Sequence, residues 1–511
     1  MTKSWRVGLI SPFSHIAASG LRQVSACLKA AGYETRLVFL PNMAELLNLP
    51  QPHPQDYEAR VLEQVCELCG DVDLVGLSVM SNHFGRARAL TRTIHDRLGK
   101  PVIWGGIHPT VKPDECLTWA DFVCMGEGED AMVELTDRLA TSQDPTSIPN
   151  IWLKDRAGER IANPIRPLNR TLDELPLPDY AVSDHYVLHH DRIVPITPRL
   201  LAHYMLDHAS NETRVCYMIS ITRGCPYDCT FCCNNALAQI YPDWRRLRRR
   251  SFEHVIAEIN AARSLIPDLQ TIRFLDDTFL AMSAAELENF CAVYGEQVGL
   301  PFHILASPGS VTAARLKSLV AAGLRDVEMG IQTGSHQARQ VFHRTENNRQ
   351  VLQAAQCLRQ FGQYIPYPRY DVISDNPYET LADQRETLQL LYDLPRPYRL
   401  YAFSLTFYPG TELYERGKAD RLIRDDEQDI YRKNYQQLAP TYANLVLWGL
   451  HRNLPRWLLK LSLQPVAFKV CDSAIMHWPV RLVWAGVMAI RNWQARRRAR
   501  QLTANLTASD T

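Results

Sequence analysis

Residues 219–235 read ISITRGCPYDCTFCCNN, with four thiols inside nine residues directly after a short β-like run. Zinc, an iron–sulfur cluster, a redox pair and a disulfide knot are the candidate explanations. Cys225, Cys229 and Cys232 stand in the pattern C-x3-C-x2-C, a spacing at which three thiolates fold around one small inorganic body. Structural zinc takes four ligands, usually as two separated pairs, and the downstream Cys291, Cys357 and Cys471 are isolated. Three ligands after the first strand of a barrel suit a 4Fe–4S cluster with one iron left open. Cys233 adjoins the third ligand at the wrong spacing and reads as a neighbour. Cys66 and Cys69 form a second C-x-x-C, but on a helical segment with no third thiol near, so they read as buried helical side chains.

Around this loop the chain alternates. From residue 214 onward the β-rich runs CYMISI, TIRFLD, PFHILAS, DVEMGIQ, PRYDVIS and LYAFSLTF follow one another, each after the first preceded by a helical segment. Six such units predict a partial α/β barrel. Before it, RVGLI (6–10), TRLVFL (35–40), DLVGLSVM (73–80), PVIWGG (101–106) and DFVC (121–124) alternate with helical patterns. That alternation predicts a doubly wound parallel sheet with helices on both faces, whose ligands sit beyond the carboxyl ends of its strands. Residues 143–213, proline-rich and poor in periodicity, read as a linker laid over a surface. The expected organisation is therefore α/β throughout: a sheet domain at 1–142, the linker at 143–213, the partial barrel at 214–420 and a helical extension at 421–511.

The barrel segments resemble the radical S-adenosylmethionine superfamily. That family's loop is C-x3-C-x-aromatic-C, and Phe231 supplies the aromatic. RFLDDTF (273–279) resembles the segment where polar groups meet the amino end of S-adenosylmethionine, which nominates Asp276 and, more strongly, Asp277; an acid pair there also suits a helix cap. VEMGIQTGS (327–335) resembles the family's Gly-Ile-Glu-Ser-Gly-Ser strand with Gln332 at the acidic position, which puts in doubt any role needing a carboxylate. DVISDNPYET (371–380) and FYPGTELY (407–414) match the late segments. The resemblance covers 214–416. It implies a 4Fe–4S cluster on Cys225, Cys229 and Cys232, S-adenosylmethionine on the open iron, and an external electron donor such as flavodoxin or ferredoxin. In such enzymes a 5′-deoxyadenosyl radical takes hydrogen from an unactivated carbon.

WGGIHPT (104–110) and GEGE (126–129) follow the fourth and fifth predicted strands. Adjacent Gly105 and Gly106 let a ligand approach the backbone, and the acids of GEGE suit a helix start. In a sheet of order 2-1-3-4-5 ahead of the cysteine loop, these motifs resemble the cobalamin-binding domain of cobalamin-dependent radical S-adenosylmethionine enzymes, over residues 5–140. The resemblance implies that Ser78, Ser81, Gly105 and Gly106 line the slot for the cobalamin tail. The family's lower-ligand signature Asp-x-His-x-x-Gly, aligned on Gly20, meets His15 and Ala17 here, so cobalamin is expected without a histidine from this loop. His108 reads as a polar loop residue.

A net charge of +1 gives no global attraction to nucleic acid, and no recognition motif is present. Thirteen scattered cysteines and no signal-like start point to a reducing cytoplasm. DWRRLRRRS (243–251) carries five arginines, either a solvated face or a contact for an anionic substrate. Between 451 and 500 ten Lys/Arg face one acid, Asp472, and Trp457, Trp478, Trp484 and Trp493 are interleaved with them. Two readings stay open: a peripheral membrane contact at the inner face, or a helical bundle closing the barrel. The run Leu482–Ile490 is too short to span a bilayer.

The function implied is methylation of an unactivated carbon of a small-molecule, lipid or peptide substrate; the alternative keeps both cofactors but forms or rearranges a ring. Methylthio transfer predicts a second N-terminal cysteine triad, and Cys27, Cys66, Cys69, Cys116 and Cys124 form no such set. A cobalamin carrier or light sensor accounts for the first domain alone.

Overall fold

The computed structural model describes residues 5–42, 57–207 and 214–507. Most of the proline-rich stretch after the second strand, and the last residues of the 143–213 segment, lie outside the described residues. Two sheets dominate. In the first, β1 (Arg6–Ser11), β2 (Glu34–Phe39), β3 (Leu74–Ser78), β4 (Val102–Gly105) and β5 (Phe122–Cys124) run parallel in the order β5-β4-β3-β1-β2. This is the expected 2-1-3-4-5 order. Their side chains are buried on both faces, as in β3 with Leu74, Val75 and Leu77, because helices Ser19–Ala30, Ala59–Cys69, Phe84–Leu98 and Glu129–Ala140 cover the sheet.

The segment 143–213 is more than a linker. It adds β6 (Ile151–Lys154) and β7 (Arg160–Ala162) as antiparallel strands beyond β5. On the other edge it adds β8 (His185–His189), parallel to β2, and β9 (Arg192–Pro195), antiparallel to β8. The first sheet thus has nine strands. The last described residues of the segment form β10 (Leu206–Asp207), which pairs antiparallel with the second sheet. Both sheets are therefore tied to it by backbone hydrogen bonds.

The second sheet runs β10, β11 (Arg214–Ile219), β14 (Thr271–Phe274), β15 (Phe302–Ala306), β16 (Leu324–Gln332), β17 (Arg369–Ser374) and β18 (Arg399–Ser404). All but β10 are parallel, and β18 does not return to the first strand, which leaves a partial barrel. A separate pair, β12 (Thr222–Arg223) with β13 (Arg248–Arg249), anchors the cysteine loop. Helix starts in the barrel carry side-chain caps; Ser283 and Thr380 each close a capping box.

One hydrophobic core runs from Leu9 and Phe39 of the first sheet through Tyr217 and Ile219 to Phe274 of the second. The opposite face of the first sheet is closed by residues from far along the chain. Tyr414, Ile430 and Tyr431 pack with Trp104 and Phe84, while Arg88 meets Glu427 and Lys112 meets Asp426. The extension is therefore not all tail, since its first part belongs to the N-terminal sheet. Helices Tyr442–His451, Arg456–Ser462, Pro465–Cys471 and Ala474–Thr507 then pack beside β18 and helix Leu381–Asp393 through Leu447, Leu450, Leu459 and Phe468. Among the described residues no single helix is long and apolar enough to cross a membrane.

Candidate active site

The loop after β11 is fixed before its thiols are reached. Asp276, buried at the end of β14, accepts from the amides of Ile221 (3.0 Å) and Thr222 (2.6 Å) and from the Thr222 hydroxyl (2.6 Å). Its oxygens serve the loop backbone, so this member of the nominated acid pair is a framework group. Further on, the Thr230 hydroxyl donates to Val341 O (2.7 Å), Leu413 N donates to Thr230 O (3.0 Å), and Phe231 packs edge-on against Phe342. Asp277 is exposed and faces Asn234, Cys225 and Cys232. Desolvation raises its carboxyl above the ordinary value, against the hydrogen bond from Asn234.

Cys225 is buried, Cys229 and Cys232 are half-buried, and Cys233 is exposed. Burial pushes the Cys225 thiol up to about 12, and the charges of Asp277, Cys232 and Cys229 add to it. Cys229 is raised by burial against the opposing charge of Arg344, whose Nη1 lies 3.7 Å from its sulfur. Cys232 goes the other way. A hydrogen bond from Cys233, with the Asn234 amide at 3.7 Å, lowers its pKa. Among the described residues no three His, Cys, Asp or Glu are drawn together around a single metal ion. Gln332 ends β16 in the left-handed region (φ 68°), where the pairing with β17 is irregular.

Facing this loop is the carboxyl end of the first sheet. A cavity of about 370 Å³ lies between the sheet and the residues leading into the loop, lined by Ser78, Gly105, Gly106, Gly126 and Gly128 on one side and by Ser220, Thr222 and Arg223 on the other, with Tyr180 of the 143–213 segment between; Cys225, Cys229 and Cys232 lie outside its lining. Gly106 has φ 104°, and a Cβ there would come within 2.9 Å of Val79 O, so the floor of the cradle requires glycine. Such a cradle, bare of side chains beside Ser78, fits the tail of a corrin. Ser81 does not line it. Its hydroxyl is buried and lies 3.1 Å from His108 Nδ1. His108, expected in a loop, sits fully buried in helix Ile107–Val111 between Phe84 and Tyr431. Burial, with the nearby Lys112 charge, lowers its pKa to about 3, so it is neutral. In the loop after β1, His15 Nδ1 accepts from Ala17 N (2.9 Å), which turns that ring toward its own backbone.

Four of the five arginines in the basic stretch form ion pairs. Arg248 meets Glu127 (2.8 Å), Arg250 meets Glu258, Arg249 meets Glu286 and Arg245 meets Asp228. Arg245 and Arg246 are exposed, whereas Arg248 is buried against Glu127 and Arg250 also lines the cavity. Arg223, two residues before Cys225, adds bonds to Glu127 (3.1 Å) and Glu129 (2.7 Å). The GEGE turn is thus clamped to the cysteine loop. Gly126 (φ 68°) completes the clamp: a Cβ would fall 1.7 Å from the Tyr241 hydroxyl. Nothing in the sequence around Arg223 signals this role.

The comparisons with known proteins agree with this geometry. A family model described as B12 binding domain matches residues 6–136, and one described as Radical SAM superfamily matches 219–391. An uncharacterized methyltransferase of Pyrococcus horikoshii is 25% identical over 361 residues, 69% of this chain and 71% of that protein. The structure of TsrM from Kitasatospora setae, a radical S-adenosylmethionine methyltransferase with tryptophan substrate and a SAM analogue bound, superposes with a TM-score of 0.61 at 16% identity, covering 80% of this chain and 75% of that one. OxsB, a cobalamin-dependent S-adenosylmethionine radical enzyme, superposes with a TM-score of 0.66 at 16% identity over 99% of this chain and 81% of that one. At these identities the two structures are likenesses of fold.

Proposed function

This chain belongs to the cobalamin-dependent radical S-adenosylmethionine enzymes, and from that premise we propose that it methylates an unactivated carbon. The observation that carries the reading is the cavity between the two domains, where the glycine-floored cradle of one sheet meets residues 220–223, which lead into the cysteine loop of the other. Reacting groups must be held about 3–3.5 Å apart, and the clamp of Arg223 and Arg248 on Glu127 and Glu129 fixes the distance between the two halves. When bound, the 4Fe–4S cluster with S-adenosylmethionine supplies one-electron hydrogen abstraction, and cobalamin supplies the methyl group.

Cys225, Cys229 and Cys232 are the residues we assign to the cluster. Cys233 and Asn234 favour the thiolate of Cys232, and Arg344 that of Cys229. Asp277, open beside them, is the candidate contact for the amino end of S-adenosylmethionine. Gln332, at the end of β16, offers a neutral amide where the family carries an acid. Ser78, Gly105 and Gly106 would hold the cobalamin tail, while Ser81, turned to His108, lies outside the cavity lining. The name methyltransferase borne by the Pyrococcus relative supports methyl transfer over ring formation. The substrate is a small molecule, lipid or peptide, the reductant is an external one-electron donor, and the setting is cytoplasmic with a peripheral hold on the membrane's inner face.

The test is a mass measurement. Anaerobically reconstituted full-length protein, supplied with cobalamin, a reductant and S-adenosylmethionine bearing a deuterated methyl group, is incubated with fractionated cell extract. A product heavier by one labelled methyl supports the reading. A product that has lost hydrogen without gaining label favours the ring-forming alternative.

A further inference from the structure

Of the four helices after residue 441, the last three carry exposed apolar side chains as well as buried ones. In helix Ala474–Thr507 Val480, Trp484 and Val487 point into the protein, while Ile475, Trp478, Leu482 and Trp493 point out from the opposite side. A helix covered on one side only presents polar residues to water on the other; this one does not. The pattern is confined to this part of the chain. Among the described residues, every large apolar side chain more than half exposed falls between 457 and 493, with Ile475 at 86%, Val466 at 71%, Trp478 at 69% and Trp457 at 66%. The other large exposed hydrophobics, such as Met80 and Tyr367, stay at 44% or below.

We propose that this outward face docks on an anionic bilayer surface, lying in the interface without crossing it. Charge selects this occupant. Ten Lys/Arg against one acid occupy residues 451–500. Lys460, Lys469 and Arg481 are exposed among the apolar residues, and no ion pair among the described residues engages them. A second copy of the chain, docked face to face, would set this cationic field against its own image, whereas anionic headgroups complement it. Helices Pro465–Cys471 and Ala474–Gln494 together have the length and apolar composition of a span, but they meet at 91°. A right-angled pair lies along an interface, with tryptophans at headgroup depth and basic side chains on phosphate. The docking is independent of the methyl-transfer reading, since it needs no residue of the cavity.

The test uses the full-length protein and vesicles of phosphatidylethanolamine with phosphatidylglycerol, against vesicles of phosphatidylcholine. Co-sedimentation with the anionic vesicles, lost progressively with salt, is expected, together with quenching of tryptophan fluorescence by brominated acyl chains. K460E/K469E/R481E is expected to weaken binding about a hundredfold, and W457S/W478S/W493S at least about tenfold. All six positions are exposed, and unchanged S-adenosylmethionine cleavage without vesicles reports that each variant is folded. Absence of binding, or equal binding to both vesicle types that neither variant alters, overturns the proposal. So does a concentration-dependent dimer that W457S/W478S/W493S abolishes in the absence of lipid, because the face then belongs to a second copy.

Discussion

Replacing Glu127 by glutamine removes one negative charge facing two guanidinium groups and leaves the shape of the side chain intact. Glu127 accepts from Arg223 at 3.1 Å and from Arg248 at 3.0 Å, and its side chain is 17% exposed beside an Arg248 only 7% exposed. At about 4 Å and an effective dielectric of about 20, one such pair is worth about 4 kcal/mol before desolvation. Arg223 retains Glu129, so the loss falls mainly on Arg248. Removing one partner of a buried pair costs about 3–5 kcal/mol, and the partial exposure of Arg223 places E127Q near about 3 kcal/mol. Burial alone would raise the Glu127 carboxyl; the bonds and charges of Arg248 and Arg223 outweigh it and hold the pKa below 4.5. The stabilisation is therefore complete above pH 4.5 and is lost as the pH falls through the lowered value. Urea unfolding of E127Q, R248Q and the double variant measures it, and the cycle is expected to give a coupling of about 2 kcal/mol. Cobalamin retention on gel filtration is expected to fall in parallel. Additive single effects, or E127Q as stable as the parent at neutral pH, would refute the clamp.

Asp276→Ala leaves the buried amides of Ile221 and Thr222 without an acceptor and is expected to cost about 3–5 kcal/mol in urea unfolding, whereas D276N, which keeps an acceptor oxygen, costs about half as much. Burial raises Glu379 to about 7, against a hydrogen bond from Thr333. Between pH 4.5 and about 7 the folded chain then holds the extra proton, so stability falls as the pH rises through that window. E379Q is expected to remove this dependence and to stabilise the protein above pH 7 by about 3 kcal/mol, as read from denaturation midpoints across pH. Arg344→Gln withdraws a positive charge 3.7 Å from the Cys229 sulfur. The cluster potential is expected to fall by roughly tens of millivolts in a redox titration followed by paramagnetic resonance; no shift would show that Arg344 serves only its other partners, the Gly330 carbonyl at 2.9 Å and the Glu346 carboxylate at 3.4 Å.

The two alternating series were legible because their apolar runs carry the strand period and are buried on both faces, as in LVGLS of β3 and RYDVIS of β17. The cysteine loop was legible because its signal is local. What escaped depends on partners distant in sequence. RIA of β7 and the two-residue β10 are edge strands too short to show a period, and only their neighbours make them strands. The arginines at 245–250 announce charge but not the carboxylates at 127, 228, 258 and 286 that neutralise it. His108 looked like a loop residue because its burial depends on Tyr431, more than three hundred positions later. The acid pair at 276–277 could not be ranked without the turn of Ile221 and Thr222, which takes up one carboxylate and leaves the other open.

The central claim is that three thiols hold a cluster opposite a corrin cradle in one chain. Iron, sulfide and corrin per chain, measured after anaerobic purification with cobalamin supplied, test it most directly. The account predicts about four irons and four sulfides with corrin retained, loss of the iron and sulfide alone in C225A/C229A/C232A, and loss of corrin alone when Gly106 is replaced by valine. Stoichiometric zinc with no sulfide, or iron that survives the triple alanine variant, would contradict it.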